Sequence, residues 1–341
     1  MKWSYSDSNN FFKCRRLYYL SSVLANAIAK DQLRRRAYFI KNSMNFDMWA
    51  GHIVDKFMSK ILIPAINDGF EINFEEYAVL AVEIGKRQFE FSKYRLYETS
   101  NKTEGDIEFC VLDIHELKMP YDEAEIEKVY EKVKQAILSF PKIKMLNTEA
   151  PLYQHLCNNK EWLMPDISNT GFAIDNINIF PQIDLRVSAT TFIDWKVSQS
   201  QISDYSRQLS IIGLVAYENR KKRNQTGENL RKLNYEDIVL LEVNLIKGTT
   251  KHHPFNENIA NNVYDHIYLN SRDIGLIRQK DDKPSYATMI KYEQTEGHGC
   301  NFCKFYSLCT HLTISKHNYD EAEYFKSLTD EFTNIIHDLQ S

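Results

Sequence analysis

The feature that most restricts the fold is a pair of β-rich segments near the middle of the chain. Residues 176–184 (Asn-Ile-Asn-Ile-Phe-Pro-Gln-Ile-Asp) and 190–197 (Thr-Thr-Phe-Ile-Asp-Trp-Lys-Val) are joined by a short segment that contains Val-Ser-Ala. This composition predicts two strands that pair antiparallel, which would bring Asp184 next to Asp194. Because side chains alternate along a strand, Asp194 and Lys196 are expected on the same face of the sheet.

Two carboxylates and an ammonium on one hairpin are what metal-assisted hydrolysis of a phosphodiester requires. Carboxylate oxygens suit Mg²⁺ or Mn²⁺, and Lys196 would lie close enough to the attacked phosphate to orient water or offset developing charge. The simpler interpretation is that Asp-x-Lys forms an exposed ion pair at a strand edge.

The segments that follow favour the first interpretation. Residues 203–209 (Ser-Asp-Tyr-Ser-Arg-Gln-Leu) begin with capping residue types and lead into a helix that stays apolar to Tyr217. Tyr205 and Gln208 lie three apart and therefore on one helix face. Residues 237–246 are almost continuously apolar, as expected for a strand that is covered on both faces.

These residues resemble the PD-(D/E)XK nucleases, and within them the RecB-like branch. In that branch a helical histidine, an aspartate, an acid-x-lysine and a glutamine on the following helix make the site. The matching positions, in the same order along the chain, are His52, Asp184, Asp194 with Lys196, and Gln208. The resemblance implies an α/β fold with a restriction-endonuclease-like core, in which helices flank a mixed central sheet.

The same resemblance assigns roles to the site residues. It implies that Mg²⁺ or Mn²⁺ is bound by His52, Asp184, Asp194 and the backbone carbonyl of Trp195. Lys196 would activate water, while Gln208 and Tyr205 would position that water or the phosphate. Matching stretches cover residues 1–60 and 170–312. The chain departs from the family pattern at Ile212, where tyrosine is usual, and at Arg15, where proline is usual.

His52 lies on a predicted helix whose apolar stripe does not include it. The stripe consists of Trp49, Ile53, Phe57, Met58 and Ile61, and the polar neighbours of His52 are Asp55, Lys56 and Ser59. A buried core histidine is therefore not expected. A solvated surface histidine and a metal ligand remain as the two interpretations.

The cysteines give a second, independent signal. Cys300, Cys303 and Cys309 lie within ten residues of one another near the carboxyl end, and Cys14 lies near the amino end. Four thiolates can hold an iron-sulfur cluster or a structural zinc ion. Cys110 and Cys157 are expected to be buried thiols.

The cysteine arrangement resembles the cluster-bearing RecB-like nucleases, which include the AddB subunits and the CRISPR-associated exonucleases. The resemblance implies a 4Fe-4S cluster that joins the two chain ends around the nuclease core. Zinc is the alternative, with His298 or His311 as a further ligand. Disulfides are not expected, because no signal peptide is visible and a cytoplasmic chain keeps its thiols reduced.

Composition restricts the mode of nucleic-acid binding. The net charge of −4 and the pI of about 6.2 are not those of a globally basic DNA-binding protein, so a local basic groove is required. The candidates are Lys30 with Arg34, Arg35 and Arg36, and the run 219–223, which contains Lys221 and Lys222. Each of these could instead be a solvated face or loop. No apolar run approaches the length of a transmembrane span.

The predicted domain organisation is a nuclease core with an insertion. Residues 1–60 and 166–312 form the core, residues 61–165 form a helical insertion, and residues 313–341 add a C-terminal helix from Tyr319 to Leu339. The clearest helices of the insertion are 74–94 and 121–140, with Pro64, Pro120, Pro141 and Pro151 as breaks. Residues 221–234 are polar and predict a loop.

The function expected from sequence is hydrolysis of DNA phosphodiesters, in DNA repair, CRISPR adaptation or phage defence. The expected substrate is a single-stranded DNA end, and a helicase or a CRISPR or defence protein is a possible partner. One alternative is a catalytically weak nuclease-fold subunit that binds nucleic acid or a helicase. Another is a zinc-stapled regulatory protein in which Asp184 and Lys196 are only surface charges.

Overall fold

The computed structural model describes residues 2–146, 149–168, 170–174, 176–199, 205–279, 282–295 and 297–329, without the side chain of His298. The strands are β1 (Lys2–Trp3), β2 (Met164–Ile167), β3 (Phe172–Ile174), β4 (Ile177–Ile179), β5 (Ile183–Arg186), β6 (Thr191–Lys196), β7 (Val239–Asn244) and β8 (Thr249–His253). The helices are α1 (Tyr5–Lys13), α2 (Arg15–Tyr18), α3 (Gln32–Asn42), α4 (Phe46–Phe57), α5 (Ile63–Asp68), α6 (Phe74–Lys93), α7 (Asp113–Glu116), α8 (Glu123–Ser139), α9 (Leu152–Asn158), α10 (Ser206–Gln225), α11 (Glu257–Ile277), α12 (Tyr286–Lys291) and α13 (Tyr306–Ile314), and residues 321–329 are also helical. No helix in this described part is long and apolar enough to cross a membrane.

The strands form two mixed sheets flanked by helices, so the fold is mixed α/β. The larger sheet has the order β2-β5-β6-β7-β8, in which β6 and β7 are parallel and the other neighbours are antiparallel. The smaller sheet has the order β1-β4-β3, with β1 parallel to β4. Helix α10 packs against β3, β7 and β8.

The chain divides into two compact units. Unit 1 contains residues 1–5, 46–87 and 124–271, and unit 2 contains residues 6–45, 88–123 and 272–341. All the residues predicted for the nuclease site belong to unit 1, and the four cysteines predicted for the cluster belong to unit 2. These boundaries differ from the predicted grouping of 1–60 with 166–312.

The predicted hairpin is present, but it is shorter than its sequence signal. Strands β5 and β6 pair antiparallel, with Leu185 opposite Ile193. The first half of the 176–184 run instead forms β4 in the smaller sheet. The chain leaves the strand conformation after Ile179, and Pro181 lies in the three-residue gap before β5 begins. Proline has no N–H for a sheet ladder, and it marks the point where the run changes sheet.

The two helices predicted in the insertion are confirmed as α6 and α8, but Pro64 does not break a helix. The helical path is continuous from Phe46 to Asp68, with a π-helical segment at Met58–Leu62 directly before α5. Proline removes one N–H and crowds the preceding turn of a helix. A wider π turn just before Pro64 accommodates both effects.

The predicted loop at 221–234 begins later than expected, because α10 continues to Gln225. The chain then folds back on the helix end, where Arg223 pairs with Glu228 at 2.6 Å. The predicted capping residues Ser203 and Asp204 lie outside the described residues. The predicted C-terminal helix is present over 321–329, and its remainder also lies outside them.

Candidate active site

The hairpin brings the two predicted carboxylates together in the interior of unit 1. Asp194 is only 2% exposed, and Oδ2 of Asp184 accepts a hydrogen bond from the Trp195 N–H at 2.8 Å. Burial raises the pKa of Asp184 well above its ordinary value, and the Asp194 charge raises it further. A buried pair of mutually repelling carboxylates costs free energy and is typical of a functional site.

Lys196 provides the positive charge of the site. Its ammonium forms an ion pair with Oδ2 of Asp194, as expected if both side chains project from one face of β6. The same ammonium lies 3.9 Å from the centroid of the Tyr205 ring. Trp195 projects the other way and packs against Phe140 at a centroid distance of 5.9 Å. The predicted alternation along β6 is therefore confirmed.

Gln208 lies in the first turn of α10 and contacts the carboxylate site directly. Its Nε2 donates to Oδ1 of Asp194 at 3.3 Å. Ile212, one turn further along α10, is 1% exposed and belongs to the core. The aromatic ring next to the Lys196 ammonium comes from Tyr205, and position 212, where the family usually has tyrosine, belongs to the core instead.

Asp55 is a third carboxylate of this site, and sequence reasoning treated it only as a polar neighbour of His52. Burial raises the pKa of Asp55 to about 6, against the nearby Lys56 ammonium, and the charges of Asp166 and Asp194 raise it further. Asp55 also raises the pKa of Asp184. Its spacing of three residues from His52 puts both on one face of α4, which is the signal that could have identified it.

The side of α4 that carries His52 and Asp55 is covered by protein. Lys56 is 9% exposed and Ser59 is 5% exposed, although the amphipathic pattern predicts a solvated face there. His52 itself is half-buried. Asp55 on α4, Asp184 on β5 and Asp194 on β6 are called the carboxylate site below.

A glutamate on β7 and a histidine on β8 also act electrostatically on Asp194. Glu242 is in register with Asp194 across the parallel pair β6–β7, and its Oε2 lies 2.8 Å from Nε2 of His253 on β8. Burial raises the pKa of Asp194, Lys196 opposes that effect, and Glu242 adds to it. Neither residue was predicted, although Glu242 is the one acidic residue within β7.

The carboxylate site fits a hard divalent cation by its chemistry. It provides oxygen ligands with raised pKa values, in a place where an ammonium already offsets negative charge. Bound Mg²⁺ or Mn²⁺ would lower these pKa values and keep the carboxylates ionised. In the described part of the chain, no three histidine, cysteine, aspartate or glutamate side chains are already arranged to hold a metal ion.

The raised pKa of Asp55 predicts the pH dependence of the metal-free protein. The native state binds the Asp55 proton more tightly than the unfolded chain does. Protonation of Asp55 therefore stabilises the native state below the unfolded pKa, and this contribution is lost as pH rises through about 6. Asp55→Asn should therefore be more stable than the wild type at pH 7 in EDTA, by on the order of 1–3 kcal/mol, with the difference vanishing toward low pH.

Urea unfolding at several pH values measures this difference. Asp265→Asn is the control, because Asp265 is exposed on α11 and its substitution should leave the pH profile unchanged. A wild-type advantage over Asp55→Asn at pH 7 in EDTA would contradict the assignment of Asp55 to a repulsive carboxylate site.

The four cysteines of the predicted cluster are neighbours in unit 2. The charges of Cys14 and Cys300 raise the pKa of Cys303 beyond the effect of its burial. The pKa of Cys309 is raised to about 11 by burial, with added effects from Cys14 and Cys303. Thr295 connects two of them, because its N–H donates to the Cys14 sulfur at 3.5 Å and its carbonyl accepts from the Cys300 thiol at 3.8 Å.

The surroundings of His311 do not favour it as a further metal ligand beside the cysteines. Cys309 and His311 lie two apart on α13, and residues at that spacing do not share a helix face. The His311 ring instead packs against Tyr319 and Tyr324 at centroid distances of 5.9 Å. Cys110 is fully buried, as predicted, whereas Cys157, predicted to be a buried thiol, is half-buried and belongs to unit 1.

The predicted basic residues differ in their surroundings. Arg34 is half-buried, and its Nε donates to the Leu24 carbonyl at 3.1 Å. Arg35 is also half-buried. Lys221 and Lys222 are exposed near the end of α10, with Lys221 3.8 Å from Glu218.

Arg36 follows the Arg34–Arg35 pair in the sequence but serves the core of unit 2. Its guanidinium contacts Glu116 at 2.8 Å and Glu321 at 2.7 Å, and it is 4% exposed. The basic run at 34–36 therefore includes a residue whose charge is already neutralised.

Comparison of the chain with models of protein families, with curated proteins and with solved structures gave no match. The resemblance to the RecB-like nucleases therefore depends on the residues described above and stays a prediction.

Proposed function

We propose that this chain is a metal-dependent deoxyribonuclease with a PD-(D/E)XK site on a restriction-endonuclease-like core. The proposed substrate is single-stranded DNA with a free end. The observation that carries the proposal is that Asp184, which accepts a hydrogen bond from the Trp195 N–H, lies beside Asp194 in the β5–β6 hairpin, with Lys196 paired to Asp194. A merely structural ion pair would not require a second buried carboxylate that raises the pKa of the first.

In this proposal Asp184, Asp194 and His52 hold Mg²⁺ or Mn²⁺, together with the Trp195 carbonyl. When bound, the metal supplies an activated water and offsets charge on the phosphate. The Trp195 N–H fixes the orientation of the Asp184 carboxylate, and the Gln208 amide fixes that of Asp194. These two contacts restrict the orientations of the two carboxylates.

Lys196 orients the attacking water or offsets the charge that develops on the phosphate. The Tyr205 ring next to its ammonium restricts the lysine to the catalytic face of β6. Asp55 adds negative charge near the metal position and favours cation binding. The proposed cysteine-bound cluster, 4Fe-4S with zinc as the alternative, would stabilise unit 2 and takes no part in hydrolysis.

Cleavage of matched linear and circular single-stranded DNA tests the proposal. Anaerobically purified wild type with Mn²⁺ should degrade the linear strand and spare the circle, whereas Asp194→Ala should degrade neither, because it loses both a metal ligand and the partner of Lys196. Cleavage of the circle as well would indicate an endonuclease with the same site.

Equal cleavage by wild type and Asp194→Ala, after contaminating nucleases are excluded, would contradict the assignment of the site. Absence of cleavage by either protein, with DNA binding retained by both, would favour the alternative of a nuclease-fold subunit that binds nucleic acid or a helicase partner.

A further inference from the structure

A cavity of about 610 Å³ lies in unit 1, beside the hairpin turn and the second half of α10. Its apolar lining includes Phe192 and Val215, and its polar lining includes Arg186, Arg220 and Lys222. This volume is typical of small-molecule and nucleotide pockets, and such pockets combine apolar walls with a few polar groups. We call it the basic cavity.

The basic cavity is on the same face of the sheet as the carboxylate site. Arg186 lies two residues after Asp184 on β5, and Phe192 lies two residues before Asp194 on β6. Arg186 and Phe192 are paired in register, and residues two apart on a strand share a face. The cavity therefore begins about 7 Å along the strands from the two carboxylates.

The cations of the cavity are available to a ligand. The Arg186 guanidinium contacts the sulfur of Met164, and Nε of Arg220 donates to the Arg231 carbonyl at 3.3 Å. Within the described residues, no carboxylate lies within ion-pair distance of Arg186, Arg220 or Lys222. Among the described residues none of the three forms an ion pair, in contrast to Arg223, which pairs with Glu228; the Glu228 charge acts on Arg220 only over a longer distance.

An aromatic side chain also lines the cavity. Trp162 is 66% exposed, whereas the other tryptophans, Trp3, Trp49 and Trp195, are 7% exposed or less. Exposed aromatic rings next to cations are the usual platform for bases of single-stranded nucleic acid. An inorganic anion has no ring that could stack on Trp162, so the exposed indole favours a nucleotide as the ligand.

We infer that the basic cavity binds a nucleotide of the single strand, with its base against Trp162 and its phosphate at Arg186 and Arg220. This inference rests on the proposed function, because it places the nucleotide on the same strand as the phosphodiester that is cleaved at the carboxylate site. A base within a duplex would have to be flipped out to enter, at a cost of a few kcal/mol. The cavity therefore selects single-stranded over double-stranded DNA.

Intrinsic fluorescence tests the contact with the base. Oligothymidylate is titrated into the full chain in EDTA, so that metal-dependent cleavage does not occur. We expect quenching of tryptophan fluorescence that is lost in Trp162→Phe, because the other tryptophans are buried. Trp162→Ala should weaken binding at least about fivefold, which corresponds to a stacking energy of about 1 kcal/mol per base.

Binding measured by fluorescence anisotropy tests the phosphate contact. The double variant Arg186→Ala/Arg220→Ala is compared with Lys128→Ala/Lys134→Ala, which removes the same charge from two exposed lysines of α8 outside the basic cavity. The arginine variant should bind the single strand at least about tenfold more weakly. It should also reduce the slope of log K against log salt by about 0.7, because one phosphate contact of the single strand is lost.

Two results would overturn the inference: unchanged fluorescence on saturation with oligothymidylate, or equal affinities of the arginine and lysine double variants. Melting temperatures of all variants are compared first, and Trp162→Phe serves if an arginine variant fails to fold. Binding is measured without metal, so its outcome is independent of cleavage. If the wild type cleaves DNA but the cavity variants bind the single strand as well as the wild type does, only the inference is wrong. If binding depends on the cavity residues but no protein cleaves DNA, only the proposed function is wrong.

Discussion

Asp184→Asn is expected to abolish DNA cleavage and to raise the melting temperature of the metal-free protein. The asparagine Oδ1 can still accept the Trp195 N–H, so the local geometry is kept. Cleavage should fall on the order of 10³-fold or more, since a charge aimed at the reacting centre is removed. Stability at pH 7 should rise, because burial and the charges of Asp194 and Asp55 oppose ionisation of Asp184.

Scanning calorimetry in EDTA and in Mn²⁺ separates the two effects. Without metal, Asp184→Asn should melt roughly 2 °C or more above the wild type. With Mn²⁺, the wild type should gain stability and the variant should gain much less, because ligand binding stabilises only the state that binds. A variant that melts lower in EDTA and responds normally to Mn²⁺ would show that Asp184 is a structural residue.

Asp47→Asn is the matched control for this experiment. Asp47 lies in the first turn of α4 with its side chain 89% exposed, paired with Lys132 at 2.7 Å. Exposed ion pairs contribute little to stability. Its substitution should change neither cleavage nor the response to Mn²⁺.

Cys14→Ser is expected to lose the bound metal and to lower the melting temperature of the anaerobically purified protein by at least about 5 °C. Cys14 lies near Cys303 in unit 2. Two residues after Cys14, Nε of Arg16 donates to the Tyr292 carbonyl at 2.9 Å, which joins the N-terminal segment to the segment before Cys300. Loss of one of four thiolates should release the metal and weaken this connection.

Iron, sulfide and zinc contents, measured with the thermal melt, test the cysteine prediction. Iron with sulfide would identify the cluster, and stoichiometric zinc would identify the alternative. Cys157→Ser is the control, because Cys157 is half-buried in unit 1 and should leave both metal content and melting temperature unchanged. A Cys14→Ser protein that keeps its metal and its melting temperature would contradict the four-thiolate centre.

The parts of the site that sequence could predict are those set by local periodicity. The positions of Asp194 and Lys196 follow from alternation along one strand, and Asp184 follows from the pairing of adjacent segments. Asp55 was missed because its partners come from strands more than 100 residues away in the sequence. His253 was missed for another reason: its contact with Glu242, eleven residues earlier, depends on the register of β7 with β8.

Pro181 and Pro64 show that local sequence signals did not predict the fold around them. Pro181 interrupts a β-rich run, yet the sequence does not show that the two halves enter different sheets, because sheet membership depends on distant strands. Pro64 has the sequence signature of a helix break, but the π-helical segment before it allows the helix to continue. The break predicted at Pro64 was therefore wrong, and the change of sheet near Pro181 was not predicted.

Helix α10 carries Gln208 at its beginning and Arg220 twelve residues later, a span of about 18 Å along a rigid helix. In the proposed arrangement this helix fixes the distance between the position of cleavage and the phosphate contact at Arg220. An oligonucleotide shorter than that span would reach the carboxylates without reaching the outer cation. Degradation would then slow at a fixed chain length, and the size of the shortest products would be set by the length of a helix.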